Sequence, residues 1–406
     1  MRRAPSVATP RVPNQAKFTW LIPFLGALTA LGPLSNDLYV PSLPLVADGL
    51  HAGGGAVQLT LSTLLLGLSL GSLIYGPLSD QYGRKPILCI GLAVYVLAGI
   101  LSALATDLAH LVVWRFLQGL GASAAMVLAR AIILDRWRGS QASRALSWVA
   151  MVTFLSPVLA PVLGGYVASL GYWPTVFWLH AMAGALCLLV SLTMLPRAER
   201  HPESRLLQRI AAYGSILEDR QALGYMACTG LGFIGVAAFI SNSSFVFIEY
   251  FELEPYQYGY CFSLIMLGGV FGAFINSRLV AQLGISKLIG IGTLFMAIGG
   301  LSALITTALG GGLFGILIPA LFYMFGVGFV FANSMARTLS RFPASMGAAS
   351  AVFGVNQFLI GALVAAALSL IPEPAPLPLV AAMAAAGLAA AALWWSWLRH
   401  LVPDAD

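Results

Sequence analysis

Nineteen of the 21 lysines and arginines in this 406-residue chain fall in the two tails, in every second gap between apolar runs, or at the run ends that border them. The runs lie at 17–41, 57–77, 86–106, 110–134, 144–168, 173–195, 221–249, 257–279, 287–308, 313–335, 345–370 and 377–398. The alternate gaps hold no Lys or Arg and carry Asp48, Asp107, Glu252, Glu254 and Glu373 instead. A bilayer core of ~30 Å takes ~20 helical residues to cross, and short cytoplasmic loops are the ones rich in Lys and Arg. So strict an alternation requires twelve crossings, with both termini and the longest hydrophilic stretch on the cytoplasmic side. Composition agrees: charged residues make up 9%, against roughly 25% in a soluble chain. The basic balance is accounted for by the loops and calls for no nucleic acid.

The hydrophilic stretch divides the runs six and six. The chain thus reads as a cytoplasmic tail (1–16), a first six-helix bundle (17–195), a cytoplasmic linker (196–220), a second bundle (221–398) and a short tail (399–406). The first run is too long for a signal-peptide core and lacks a clear cleavage site, so it is expected to stay as an uncleaved span. Run 4 holds Gly119, Gly121 and Arg130, and run 10 holds Gly326 and Gly328 with Arg337 just past its end, all offset by 207 residues. Gly83 and Gly284 follow runs 2 and 8 at an offset of 201. Such matches suit a transporter built from two related halves, with its site near the membrane midplane between them.

A charge within hydrocarbon costs several kcal/mol, so it faces a cavity or a partner. Asp37 is the only carboxylate well inside a run. It lies ~4 residues, about 6 Å, from the end of run 1 at Pro41, and Arg115 lies ~5 residues, about 8 Å, from the same face. The matching depth predicts an internal ion pair. Burial would favour the neutral acid and the cation would favour the carboxylate, a balance that substrate or water could tip; the bland alternative is a static salt bridge. Near the opposite face, Arg130 and Asp135 share the level of Asp80 and Arg84. These four are expected to form a cytoplasmic gate, against the simpler reading of snorkelling interfacial charges.

The stretch from Gly76 to Pro86 reads GPLSDQYGRKP, with Asp80, Gly83, Arg84 and Lys85 spaced as G-x-x-x-D-x-x-G-R-K from Gly76. It resembles the signature between helices 2 and 3 of the major facilitator superfamily. Arg115, Gln118, Gly119 and Gly121 look like the R-x-x-Q-G-x-G-A motif of its drug:proton antiporters. Pro157, Pro161, Gly164 and Gly165 are similar to the antiporter motif of helix 5, with Ala160 where Gly is usual. The segments Asn36–Pro44, Val57–Ser62 and Leu128–Ala131 resemble the bicyclomycin/chloramphenicol-resistance (Bcr/CflA) branch. The resemblance implies an all-α fold of twelve spans in two pseudo-symmetric bundles in a bacterial inner membrane. It implies proton coupling at Asp37 and Arg115, with protons and small amphipathic drugs as partners, no cofactor, and a monomer as the working unit.

Polar and aromatic residues inside the runs are candidate cavity linings: Asn36, Asp37, Tyr39, Gln118, Phe154, Phe239, Asn242, Phe245, Tyr323, Asn356 and Gln357. Mixed aromatic and amide groups suit amphipathic ligands, and each also has an ordinary reading as helix-to-helix packing. The resulting expectation is proton-driven drug efflux. A proton-linked metabolite transporter on the same fold is the alternative, and a membrane-embedded enzyme or sensor a distant third. Gly67–Gly71 matches the G-x-S-x-G nucleophile elbow, but it lies mid-run with no strand before it, where small residues pack helices. The four cysteines fall inside apolar runs and read as reduced core residues. Of five histidines only His180 is well inside a run, and no metal-type spacing occurs.

Overall fold

In the computed structural model, which describes residues 18–137, 139–195, 213–371 and 375–401, twelve long helices carry the chain back and forth. They are α1 (Phe18–Asp37), α2 (Leu59–Tyr82), α3 (Arg84–Ala103), α4 (Leu108–Arg136), α5 (Gly139–Ala168) and α6 (Pro174–Met194). The second set is α7 (Arg220–Ser244), α8 (Pro255–Leu283), α9 (Ile285–Ala308), α10 (Phe314–Ser340), α11 (Met346–Leu368) and α12 (Pro376–Leu393). α7 and α12 each continue as a π-helical turn, Phe245–Tyr250 and Trp394–Leu398. Eleven of the described helices are long and apolar enough to cross a membrane, and α1 begins where the described residues begin. The tail 1–16, most of the linker and Glu373 lie outside the described residues.

One face carries the turns with Arg84, Lys85, Lys287 and Arg341; the other carries Asp48, Asp107, Glu252 and Glu254. We call them the basic and acidic faces. Helix ends there follow ordinary capping: Asp107 accepts from the His110 backbone N–H at 2.9 Å, and Asp219 accepts from Gln221 and Ala222. The His110 N–H holds the Asp107 carboxyl below the usual carboxylate range. The acidic-face connection after α1 differs from the sequence reading. α1 stops at Asp37 rather than running to residue 41, and is followed by a tight 3₁₀ turn (Val40–Ser42) and a short helix (Leu43–Gly49). Pro41 and Pro44 prevent continuation of the same helix, because proline lacks the N–H and disfavours helix in the residue before it.

The two halves repeat each other in their closest contacts. A Cβ on Gly67 or Gly71 of α2 would strike α4, at the carbonyl of Phe116 and at Ser123 beside the Leu120 carbonyl. Gly268 and Gly272 of α8, 201 residues on, meet α10 at the carbonyls of Leu321 and Phe325, which follow Phe116 and Leu120 by 205. Gly91 meets Gly121 and Ala124; Gly292 meets Gly326 and Phe329, at the same two offsets. Gly184 of α6 and Gly387 of α12, 203 apart, pack on α3 and α9. The fold is therefore two pseudo-symmetric six-helix bundles. The register between α4 and α10 is 205, not 207. Gly119, which touches α2, would otherwise fall on Gly326, which touches α9. The G-x-S-x-G stretch at 67–71 is this α2–α4 packing contact.

Among the described residues, four hydrogen bonds join the bundles between the acidic face and mid-height. Ser62 donates to Ala362 O (2.7 Å), Ser69 to Val355 O (3.5 Å) and Ser263 to Val158 O (2.6 Å), while Tyr166 and Tyr260 share a hydroxyl contact of 2.6 Å. An apolar cluster containing Leu38, Tyr39, Val40, Phe239, Phe247, Tyr258 and Phe262 spans both bundles on that side. In the basic-face half of α11, Gly347 and Gly354 look onto open space. All four cysteines are free, Cys187 and Cys228 buried and Cys89 and Cys261 half-buried.

Candidate functional site

Arg115 is the largest fully buried side chain described. Its position follows from helix geometry: α4 presents Arg115 and Gln118 one turn apart on a single face. Arg115 Nη1 donates to Gln118 Oε1 at 2.7 Å and Nη2 to the Ser35 carbonyl of α1 at 3.0 Å. The guanidinium lies 4.4 Å from the Tyr39 ring centroid and 5.6 Å from that of Phe177. Tyr95 of α3 closes the α1 side by bonding Ser35 Oγ at 2.7 Å. Stacking on aromatic faces, together with hydrogen bonds, is what guanidinium tolerates when buried.

Asp37 is also buried, 4% exposed, at the last position of α1. The expected Asp37–Arg115 ion pair is not formed. Asp37 Oδ1 accepts from Asn36 Nδ2 at 3.0 Å, and no described cation lies within ion-pair distance of it. The reason is the earlier end of α1. The final turn points the Ser35 carbonyl, not the Asp37 carboxylate, at Arg115. Asp37 lies within electrostatic reach of Tyr258 on α8, whose hydroxyl contacts Ser243 at 2.8 Å. The carboxylate therefore sits where the second bundle closes over the end of α1.

On the basic face Arg84 joins three helices. It contacts Asp80 at 2.5 Å, Ser79 Oγ at 2.6 Å and Asp135 at 2.8 Å. Gly83, at φ +97°, makes the one-residue break between α2 and α3 that places Arg84 one turn from Asp80. Lys85 caps α6, donating to the carbonyls of Leu192 (2.8 Å) and Leu195 (2.6 Å). Gly76 lies one turn earlier, its carbonyl taken by Ser79 Oγ. Arg130 stands apart: its side chain is exposed and joins none of these ion pairs. The clamp thus has three charged members and lies wholly within the first bundle.

Pro157 and Pro161 lie inside α5, and Gly164 and Gly165 follow. A Cβ on Gly164 would strike the Leu38 carbonyl, and one on Gly165 would strike the Pro255 carbonyl and Tyr256 Cα. Gly259 of α8 lies equally close to Pro161. This stretch is one of two places among the described residues where glycines bring the bundles together backbone to backbone at the acidic face, the other being Gly55 against the carbonyls of Ser369 and Ile371.

The remaining candidate linings are dispersed. Tyr39 bonds Thr60 (2.9 Å), Tyr323 donates to Gly232 O (3.1 Å), Asn242 Nδ2 to Ala375 O (3.2 Å) and Asn356 Nδ2 to Met226 O (2.9 Å). Phe239 packs tilted on Phe262 (5.3 Å) and edge-on to Phe247 (6.2 Å); Phe245 is wholly buried. Gln357 is half-buried, and the Phe154 side chain lies outside the described residues. Tyr39 and Gln118 are brought together at Arg115, whereas Asn242, Tyr323 and Asn356 are spent on helix-to-helix bonds within the second bundle. Phe177, Tyr95 and Tyr258 escape a sequence reading, because an aromatic in an apolar run gives no signal until its neighbours are known.

The sequence pattern of the Major Facilitator Superfamily matches residues 25–366. The chain belongs to the major facilitator superfamily. Among relatives, the bicyclomycin resistance protein homolog of Haemophilus influenzae is 30% identical, covering 86% of this chain and 89% of that protein. Multidrug resistance protein D of Escherichia coli is 26% identical over 87% of this chain and 89% of its own. Among solved structures, a D-xylose–proton symporter superposes with a TM-score of 0.75 at 17% identity, covering 93% of this chain and 97% of that one. The likeness to the symporter is one of fold. This superfamily member is a multi-pass membrane transporter of small molecules rather than an enzyme.

Proposed function

We propose that the protein exports small amphipathic drugs, of the bicyclomycin, chloramphenicol or florfenicol kind, in exchange for protons across a bacterial inner membrane. The observation that carries this is Asp37: a buried carboxylate, without a cation, at the end of α1 and against the second bundle. A buried acid with no counter-charge is the group whose protonation a substrate can control. The basic face is taken as cytoplasmic on the distribution of Lys and Arg. Bundle contacts concentrate in the acidic half, so this state receives substrate from the basic face. Substrate arriving at Asp37 displaces its proton, and reprotonation from the acidic side resets the cycle. Each ligand acts by preferring one access state. Drug names of relatives support this class of cargo, and a monomer contains every residue it invokes.

The deciding experiment pairs two measurements. Expression in an efflux-deficient host should lower accumulation of these drugs, and a protonophore should abolish the effect. Purified protein should release protons when drug is added. Unchanged drug accumulation, together with proton-linked uptake of a sugar, nucleoside or amino acid, would select the metabolite reading. For orientation, a cysteine placed at Leu170, which is 72% exposed on the acidic face, should react with an impermeant reagent outside intact cells.

A further inference from the structure

The two bundles provide an internal control for what the fold needs at Arg115. At the offsets set by the glycine contacts, Arg115 corresponds to Ala320 and Gln118 to Tyr323 on α10. Phe177 and His180 of α6 correspond to Val380 and Met383 of α12. All four second-bundle residues are buried, and that core closes with Tyr323 as the one hydroxyl-bearing side chain among them. The same backbone packing is therefore satisfied without a cation, an amide or an imidazole.

His180 is the titratable member of the first-bundle set that makes no ion pair and no full hydrogen bond. It is fully buried, and neither ring nitrogen makes a full hydrogen bond, the backbone of Leu34 on α1 offering only a weak polar contact. Its ring stands edge-on to Phe177 at 6.0 Å, and Phe177 is in turn one of the two rings flanking the guanidinium. A buried imidazole so weakly partnered costs stability that the apolar residue in the second bundle does not. It persists beside a buried cation that can come no closer to α6 than this wall allows.

We propose that His180 is a positioning residue of the transport cycle: with Phe177 it forms the wall that seats the Arg115 guanidinium on the end of α1, and so sets where Asp37 sits. The chain of contacts is short. The His180–Phe177 wall fixes Arg115, Arg115 holds the Ser35 carbonyl, and Ser35 is two residues from Asp37. The imidazole keeps a polar nitrogen ready for the state in which the end of α1 moves away and Arg115 loses that carbonyl. An apolar residue offers no such nitrogen, so the seat of the cation, and with it the end of α1, would be looser across the cycle. The titratable groups around the wall are Arg115 from α4, Tyr39 just after α1, Tyr95 from α3, and Cys187 on α6 beside Tyr95.

The inference rests on the proposed proton-driven cycle, so its test needs a readout independent of transport. His180→Met installs the second-bundle residue, of similar volume. Hydrogen–deuterium exchange of purified protein should then speed up across residues 34–43 and stay unchanged in α8–α12. In vesicles, His180→Met should lower the maximal transport rate at least ~10-fold, as mispositioning of a reacting group does. The pH profile should also shift, while KM changes less. His180→Asn, which keeps a polar nitrogen, should restore most of the rate. Should His180→Met fail to fold, His180→Asn and His180→Leu are compared in the same two measurements. Wild-type exchange over 34–43 with a wild-type pH profile in the apolar variant would overturn the proposal. A wild-type protein that moves no drug, but whose exchange responds to the substitution, would overturn the cargo assignment and leave the positioning role standing.

Discussion

At Gly83 and at Gly284 the chain makes the same break. Each glycine has positive φ (+97° and +76°), closes one helix through its own N–H and opens the next without a spare residue. The side chains around the two breaks differ. The first bundle places Asp80, Arg84 and Asp135 there; the corresponding positions in the second are Ala281, Ile285 and Ser340. The same contrast recurs deeper, where Arg115, Gln118 and His180 face Ala320, Tyr323 and Met383 across the pseudo-symmetry. Glycine and close helix contact are thus what the fold demands of both halves. At these positions the charges are additions to one half, which is where the proposed cycle places its coupling.

The largest expected break in this comparison is Asp37→Asn. It should abolish drug-induced proton release and active export while leaving binding of neutral drugs measurable, since the amide mimics the protonated acid. Proton release equal to wild type would remove Asp37 from the cycle. Next, Arg84→Ala should impair transport well beyond its effect on melting temperature, because it unties α2, α3 and α4 on the basic face. By contrast, Gly83→Ala and Gly284→Ala should destabilise alike, by about 1–3 kcal/mol for a side chain forced into a positive-φ, extended region that essentially only glycine adopts. Unequal losses of stability would show that the two breaks are not the same structural device.

The meeting of the bundles can be tested separately. Gly165→Val should push α5 away from the Pro255 carbonyl and open the acidic face. Spin labels at the exposed Leu170 and Leu309 would read a longer distance in this variant than in wild type. An unchanged distance distribution would mean that closure rests on other contacts.

The smallest effect concerns the second bundle's own ion pair, Arg341 with Asp219, at 2.6 Å. Partial burial raises the carboxyl, but the Arg341 hydrogen bonds and the helix N–H groups outweigh it and hold Asp219 below its usual value. A carboxyl depressed in the folded state contributes stability above its unfolded pKa and loses it as pH falls through the folded value. Arg341→Gln should therefore lower the melting temperature slightly at neutral pH, consistent with ~1 kcal/mol or less for a surface pair. The difference from wild type should vanish as the medium becomes strongly acidic. A difference that persists there would reflect packing of Arg341 rather than charge.

The helix count, the two faces and the six-plus-six order were legible because lipid enforces them residue by residue: each run must be apolar, and each loop declares its side by charge. The loop after α2 was legible because a one-residue turn needs glycine and the clamp needs its charges at fixed spacing. Other features were not. The offset of 207 arose from glycines that recur for different contacts, and contacts alone give 205. The Asp37–Arg115 pair matched in depth, yet depth is one coordinate. Which way a side chain points at a helix end depends on where the helix stops, and two prolines and a 3₁₀ turn stop α1 early.

His180 shows the boundary most clearly. In the sequence it is one polar residue in an apolar run, with no spacing to distinguish a packed histidine from a working one. The sequence by itself determined that this chain spans a membrane twelve times, which residues lie at each face, and that Asp37 and Arg115 are charges within the bilayer. Those are one-dimensional properties, set by hydrophobicity and length along the chain. The tertiary structure decided that Arg115 holds a backbone carbonyl instead of the carboxylate, that Arg130 stands outside the clamp, and that Phe177 and His180 stand behind the cation. Such neighbours come from helices far apart in the chain, brought together by close packing at glycines, and no local pattern encodes which side chains then meet.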